Sequence, residues 1–298
     1  MTKRMDSRFK PKVKIGSYKD EDIEVKVRKG YKWVDQLPNF WLKDRPWHVG
    51  FTGTSCPKTD FLVLIETAPK NLAYRIVLRQ YFKELKEQGI KFEHRFIFGR
   101  ANDDINVELR NNDDVVFGEF TDSYANLPLK TKVAYEYLQS CPSTPKFFLV
   151  HDDDTWINLP LMAKRMSEKD GDNRIFGRVR KGEPRGPWAI EKDLATNKTI
   201  WAPDYWPMWV AGPCTFMTGN TGILIAETAD NTNWVESIPP EDVFFTGIVR
   251  LKAGLPNPYE VEDFNPEPTY CIHFKNDLTK LKKKTGYSSQ KHIKYVRT

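Results

Sequence analysis

The stretch Lys146-Phe147-Phe148-Leu149-Val150-His151-Asp152-Asp153-Asp154 decides how this chain is read. An unbroken apolar run fits a strand buried on both faces, as in a parallel sheet. It ends in three adjacent carboxylates, whose mutual repulsion must be offset by water or by a cation. Neighbours in extended chain point to opposite sides, so Asp152 and Asp154 face one way and Asp153 the other. Two carboxylates on one side suit Mg²⁺ or Mn²⁺, which take oxygen ligands and leave positions open for phosphate oxygens. An exposed acidic turn is the plain alternative, but it needs neither the apolar run before it nor Trp156-Ile157 after it.

Outward from this stretch, strands are predicted over 61–65, 92–98 and 115–117, besides 146–150. Helices are predicted between them. The helix over 69–87 carries Leu72, Ile76, Val77, Leu78, Phe82 and Leu85 at three- and four-residue steps. Others are expected around 105–109, over 127–138 and over 159–166. Alternating strands and helices predict an α/β fold, a single Rossmann-type domain with a mostly parallel central sheet. Ligands in such sheets bind at the carboxyl ends of strands, where the acidic triplet lies. Further on, 215–217 and 223–225 read as strands, and 241–252 reads as a helix opened by Pro239-Pro240. The stretch 177–213, rich in Trp, Pro and Gly, reads as a long functional loop, an aromatic wall for an acceptor.

The chain has 298 residues, 46 Lys and Arg against 40 Asp and Glu, and a formal net charge of +6. That excess is too small to argue for nucleic acid. Part of it sits in Lys280-Leu281-Lys282-Lys283-Lys284, which reads as a solvated tail. Cys56, Cys141, Cys214 and Cys271 form no C-x-x-C pair, so a zinc cluster is not expected. An even count fits two disulfides in an oxidising compartment, with three connectivities open, or buried free thiols in a reducing one. No apolar stretch is long enough to span a bilayer, and the start of the chain lacks the core of a signal peptide. Asn197-Lys198-Thr199 is a glycosylation acceptor pattern.

Two further candidates carry chemistry. His273, in Cys271-Ile272-His273-Phe274, is a core histidine or a third metal ligand. Glu241-Asp242 is a helix start favoured by the dipole, or a general base that takes the proton of an attacking hydroxyl.

Four landmarks together resemble the β1,3-galactosyltransferase type of glycosyltransferase, family 31, related to the Fringe enzymes. They are the 61–65 run followed by Arg75 and Leu78-Arg79-Gln80-Tyr81-Phe82; the stretch 114–131, with Asp122-Ser123-Tyr124-Ala125-Asn126-Leu127; Cys141-Pro142 leading to the triplet; and Pro239 to Val243. The resemblance covers about 61–274. It implies a GT-A-like fold and an inverting transfer of galactose, N-acetylglucosamine or N-acetylgalactosamine from a UDP-hexose, with a β1,3 linkage to a glycan on protein or lipid. It implies Mn²⁺, or Mg²⁺, held by Asp152, Asp154 and His273. It makes Asp242 the base, with Glu241 as substitute, and sets Arg75, Arg79, Asp122, Tyr124, Lys130, Asp152 and Asp153 around the donor. The corresponding division is an N-terminal stem or wrapping segment over 1–58, a catalytic domain over 59–276 and a basic tail over 277–298. Family members are Golgi type II membrane proteins with a lumenal domain. The expected location is therefore the Golgi lumen, with membrane association only through an anchor that is not in this chain. The competing functions are a non-catalytic sugar-binding protein on a transferase fold and a metal-dependent phosphohydrolase.

Overall fold

The computed structural model describes residues 49–100, 105–168, 173–183, 205–232, 240–261 and 269–288. Its centre is an eight-stranded sheet in the order β1-β4-β3-β2-β5-β8-β7-β9. The strands are β1 (Phe51–Gly53), β2 (Phe61–Glu66), β3 (Glu93–Arg100), β4 (Val115–Thr121), β5 (Phe147–Asp152), β7 (Ile175–Arg180), β8 (Trp209–Thr218) and β9 (Tyr259–Glu260). Strands β4, β3, β2 and β5 run parallel, as the sequence predicts. Strand β8 enters antiparallel between β5 and β7. A two-stranded ribbon joins β6 (Thr155–Ile157) to β10 (Cys271–His273).

Every residue of β2 is buried. Leu62 and Leu64 join the core on one face of the sheet, with Phe148, Val150, Tyr135 and Ile225. Phe61, Val63 and Ile65 join the other, with Val77, Leu78, Phe82 and Leu149. Helices α1 (Leu72–Glu87) and α4 (Leu159–Glu168) contribute to the second face. Helices α3 (Leu127–Gln139) and α5 (Gly219–Asp230) contribute to the first. A short helix, α2 (Asn106–Asn111), links β3 to β4. Burying each of these apolar side chains contributes about 1.5–3 kcal/mol, which is why two-sided apolar runs mark the central strands.

Two expectations need correction, the strand over 223–225 and the solvated lysine tail. The 223–225 run is not a strand. Thr218 caps α5 by accepting the Thr221 N–H at 3.2 Å, and Gly222 lets the helix close on Leu138 and Phe148. The helix expected over 241–252 is present, with a π-helical stretch over Val243–Val249 that runs into an α-helical turn, Arg250–Lys252. The lysine run is not a free tail: it forms α6 (Leu278–Thr285), capped by Asp277 and closed by left-handed Gly286, with Leu281 fully buried. At the other end β1, within the 1–58 segment, pairs with β4, and Val49 and Gly50 donate backbone N–H groups to Glu136. The four cysteines form Cys56–Cys141 and Cys214–Cys271. Most of the Trp/Pro-rich loop, the 197–199 acceptor pattern, Pro239 and the first 48 residues lie outside the described residues.

Candidate active site

The carboxyl ends of β2 and β5 open into a cleft of about 630 Å³. Asp152 closes β5 directly opposite Glu66, the last residue of β2. The chain then turns through Asp153 and Asp154 into β6, which aligns His273 with Thr155. His273 Nε2 thereby lies 3.2 Å from Asp154 Oδ1. Asp152, Asp154 and His273 each offer a ligand atom within 4.8 Å of the others. Asp153 points elsewhere: its Oδ2 accepts from the Thr67 hydroxyl and, at 2.9 Å, from the Asn71 amide, which pins the loop after β2.

Across the cleft, Asp242 caps the π-helix. Its Oδ1 accepts the Val243 N–H at 2.8 Å and its Oδ2 the Gly212 N–H at 3.1 Å. Glu241 sits beside it. A methyl on Gly212 would lie 3.0 Å from Glu241 Oε1, so glycine leaves the pair its room. π-Helical turns are rare and often mark functional sites.

The electrostatics follow from crowding acids in a partly dry cleft. Burial, then Glu66 and Asp154, push the Asp152 carboxyl up to about 8. Burial raises Asp153 to about 6 and Glu66 to about 7. Burial, then Asp242, lifts Glu241 well above the carboxylate range. Burial also raises Asp242, outweighing the N–H groups of Gly212 and Val243. Asp154 is the exception: burial opposes ionisation there too, but the hydrogen bonds from His273 and the Asn276 N–H win and hold it low. The bond to Asp154 in turn raises His273. Two carboxylates and an imidazole on one side of a cleft short of positive charge form a donor set that fits Mn²⁺ or Mg²⁺.

Of the other predicted residues, Asp122, Tyr124 and Lys130 line the cleft. Lys130 donates to the Thr67 carbonyl and lies 3.2 Å from Asp122 Oδ2, while Asp122 also accepts the Gly99 N–H. Tyr124 stands 92% exposed at the rim of the cleft. Arg75 and Arg79 do not line it, which corrects the donor-side reading. Arg75 is fully buried, forked onto Glu108 and onto the carbonyls of Ala68 and Pro69. Arg79 is clamped by Asp114 and Glu108. Both guanidinium groups are spent on holding the loop after β2 and the α1–α2 junction. Glu66, by contrast, lines the cleft and was missed. The available signal was an acid directly after an apolar strand run, the same pattern that singles out Asp152.

A family model described as galactosyltransferase matches residues 73–259. The beta-1,3-galactosyltransferase 5 of Gorilla gorilla gorilla is 25% identical over 232 residues, 73% of either chain. The beta-1,3-galactosyltransferase 4 of Mus musculus is 27% identical over 254 residues, which cover 74% of this chain and 64% of the relative. Among solved structures, the galactosyltransferase LgtC in complex with donor and acceptor sugar analogs is 9% identical, with a TM-score of 0.41, over 78% of this chain and all of that one. With more than half of its length matched by the family model, and with the resemblance read from its landmarks thereby confirmed, the chain belongs to the galactosyltransferase family and is a glycosyltransferase that moves a hexose.

Proposed function

We propose that this glycosyltransferase moves the hexose of a UDP-sugar, with inversion, onto a hydroxyl of a glycan carried by protein or lipid, forming a β1,3 linkage. One observation carries the reading: the Asp152, Asp154 and His273 group and the Asp242 carboxylate line the same cleft. Asp152, Asp154 and His273 would hold the divalent cation at the end of the cleft where the diphosphate binds. When bound, that cation neutralises the charge that builds on the diphosphate as the sugar–phosphate bond breaks. Asp242 receives the proton of the acceptor hydroxyl as its oxygen bonds to the anomeric carbon, and the electron pair of the broken bond leaves with UDP. The N–H groups of Gly212 and Val243 fix that carboxylate in place. Glu241 is the substitute base. Asp122, Tyr124 and Lys130 bound the donor side, and Asp153 holds the loop that covers it. The two disulfides favour an oxidising compartment, the Golgi lumen. Among the described residues no helix is long and apolar enough to cross a membrane.

The test is UDP release in Mn²⁺ with each UDP-hexose, with and without a panel of sugar acceptors. Release stimulated by an acceptor supports the reading. Phosphate release without an acceptor would favour a phosphohydrolase, and binding without turnover a sugar-binding protein.

A further inference from the structure

The transfer scheme leaves one buried carboxylate of the cleft without a task. Glu66 is only 8% exposed. Its Oε1 has no hydrogen-bond partner, and among the described residues no ion pair holds it. The Thr131 side chain hydrogen-bonds the carboxyl, and Lys130, whose charge it also feels, spends its ammonium group on the Thr67 carbonyl and Asp122. A buried carboxylate oxygen without a donor is costly, and nearly all such groups in folded proteins find a partner. The fold alone would be served by another apolar residue like the five before it in β2. Glu66 Oε1 is thereby an unspent acceptor on the wall of the cleft.

The position of Glu66 says which ligand. On one side it is the ladder partner of Asp152. On the other it borders a small second cavity, of about 20 Å³, together with Glu241, Asp242, Gly212, Thr131 and Thr215. A hexose tied through its diphosphate to the Asp152 side, and attacked from the Asp242 side, lies between those two groups and so over Glu66. Hexoses present hydroxyl donors, and the adjoining cavity has room for a group about the size of a water molecule. We infer that Glu66 sets donor specificity: its carboxylate accepts a hydrogen bond from a hydroxyl of the hexose being transferred. This inference rests on the transferase reading above.

The test compares wild type, Glu66→Gln and Glu66→Ala on the UDP-hexose that the wild type uses and on its monodeoxy analogues, one for each sugar hydroxyl. Loss of the hydroxyl that meets Glu66 should cost the wild type about 10- to 100-fold in kcat/KM. The same analogue should cost Glu66→Ala almost nothing further, and Glu66→Gln, which keeps a carbonyl acceptor, an intermediate amount. Calorimetric binding of UDP in Mn²⁺ should be no weaker than wild type in either variant, because removing Glu66 takes a like charge away from its neighbour Asp152, and it also reports that they fold. Identical analogue profiles in all three proteins would overturn the inference and leave the transferase reading intact, as would loss of UDP binding in Glu66→Gln. A wild type that transfers from no UDP-hexose would overturn the transferase reading itself.

Discussion

Asp152, Asp153 and Asp154 share one charge and one stretch of chain, yet the backbone gives them different duties. β5 ends at Asp152, and the turn into β6 sends Asp153 to Thr67 and Asn71 while it leaves the other two beside His273. The grouping of Asp152 with Asp154 matches the sequence reading, but its cause is the turn after β5, not the alternation of an extended chain. The misplacement of Arg75 and Arg79 has another cause: a helix-face cation looks the same in sequence whether it meets a phosphate or Glu108, and only the fold brought Glu108 and Asp114 to them. Two predictions belong at this scale. Asp154→Asn should weaken metal-dependent UDP binding by about 100-fold or more, whereas Asp242→Asn should bind UDP normally and lose about 10²- to 10⁴-fold in kcat. Calorimetry and steady-state rates check both, and full turnover in Asp242→Asn would reject the base assignment. The second prediction concerns pH. The metal-free Asp152 carboxyl is raised from 3.8 to about 8. Its contribution to stability without metal is therefore complete below about pH 4 and fades as pH climbs toward 8. A cation binding below pH 8 must expel that proton. Mn²⁺ affinity should accordingly rise by up to about tenfold per pH unit between pH 6 and 8 and then level off. Titrations in buffers of different ionisation enthalpy measure the released proton, and an affinity flat across that window would reject the assignment.

Elements were legible wherever their own sequence decided them. Strands β2 and β5 announced themselves because both faces are buried. Residues 223–225 did not, because a short apolar run fits either strand or buried helix, and the Thr218 cap decided it. The lysine run misled for a related reason: one buried leucine among four lysines is a weak amphipathic signal until α1 and β6 are there to receive it. The disulfides were open among three pairings, since Cys214 and Cys271 meet only when β8 and β10 are assembled. That second bridge has a consequence for the site. Cys271 opens β10, and His273 closes it two residues later. Replacing Cys214 and Cys271 together by alanine should therefore lower stability by about 2–4 kcal/mol and also weaken Mn²⁺ binding by freeing the imidazole. The Cys56–Cys141 pair ties the lead-in of β2 to the end of α3; its removal should lower stability by a similar amount and leave Mn²⁺ affinity unchanged. Chemical denaturation and Mn²⁺ titration of the two double variants, side by side, check this. Equal metal affinities would show that the ribbon with β6 holds His273 unaided.

For the molecule as a whole, average charge and local charge disagree. The chain carries a formal +6, yet its cleft is lined by Glu66, Asp122, Asp152, Asp153, Asp154, Glu241 and Asp242 against Lys70, Lys130 and His273. Composition could not reveal this, because the cleft gathers acids from the ends of several strands that lie far apart in sequence. A nucleoside diphosphate approaching that wall meets repulsion at short range, where screening by salt is weak, and long-range steering by the net charge does not remove it. Under the proposed function, entry of the donor would therefore depend on a cation held by Asp152, Asp154 and His273. The fold does not, because its apolar cores on the two faces of the sheet are complete without that corner, unlike small metal domains that unfold when stripped. A chelator should accordingly lower UDP affinity by about 100-fold or more, equivalent to ~2.7 kcal/mol, while the protein still melts cooperatively. Mn²⁺ at about 100 times its dissociation constant should add ~2.7 kcal/mol to the stability of the metal-free protein. Calorimetry with UDP and thermal melts, each with and without chelator, test the two halves separately. UDP bound equally well in chelator would remove the metal from the mechanism, and a chelated protein with no melting transition would mean that the site holds the fold together as well as the donor.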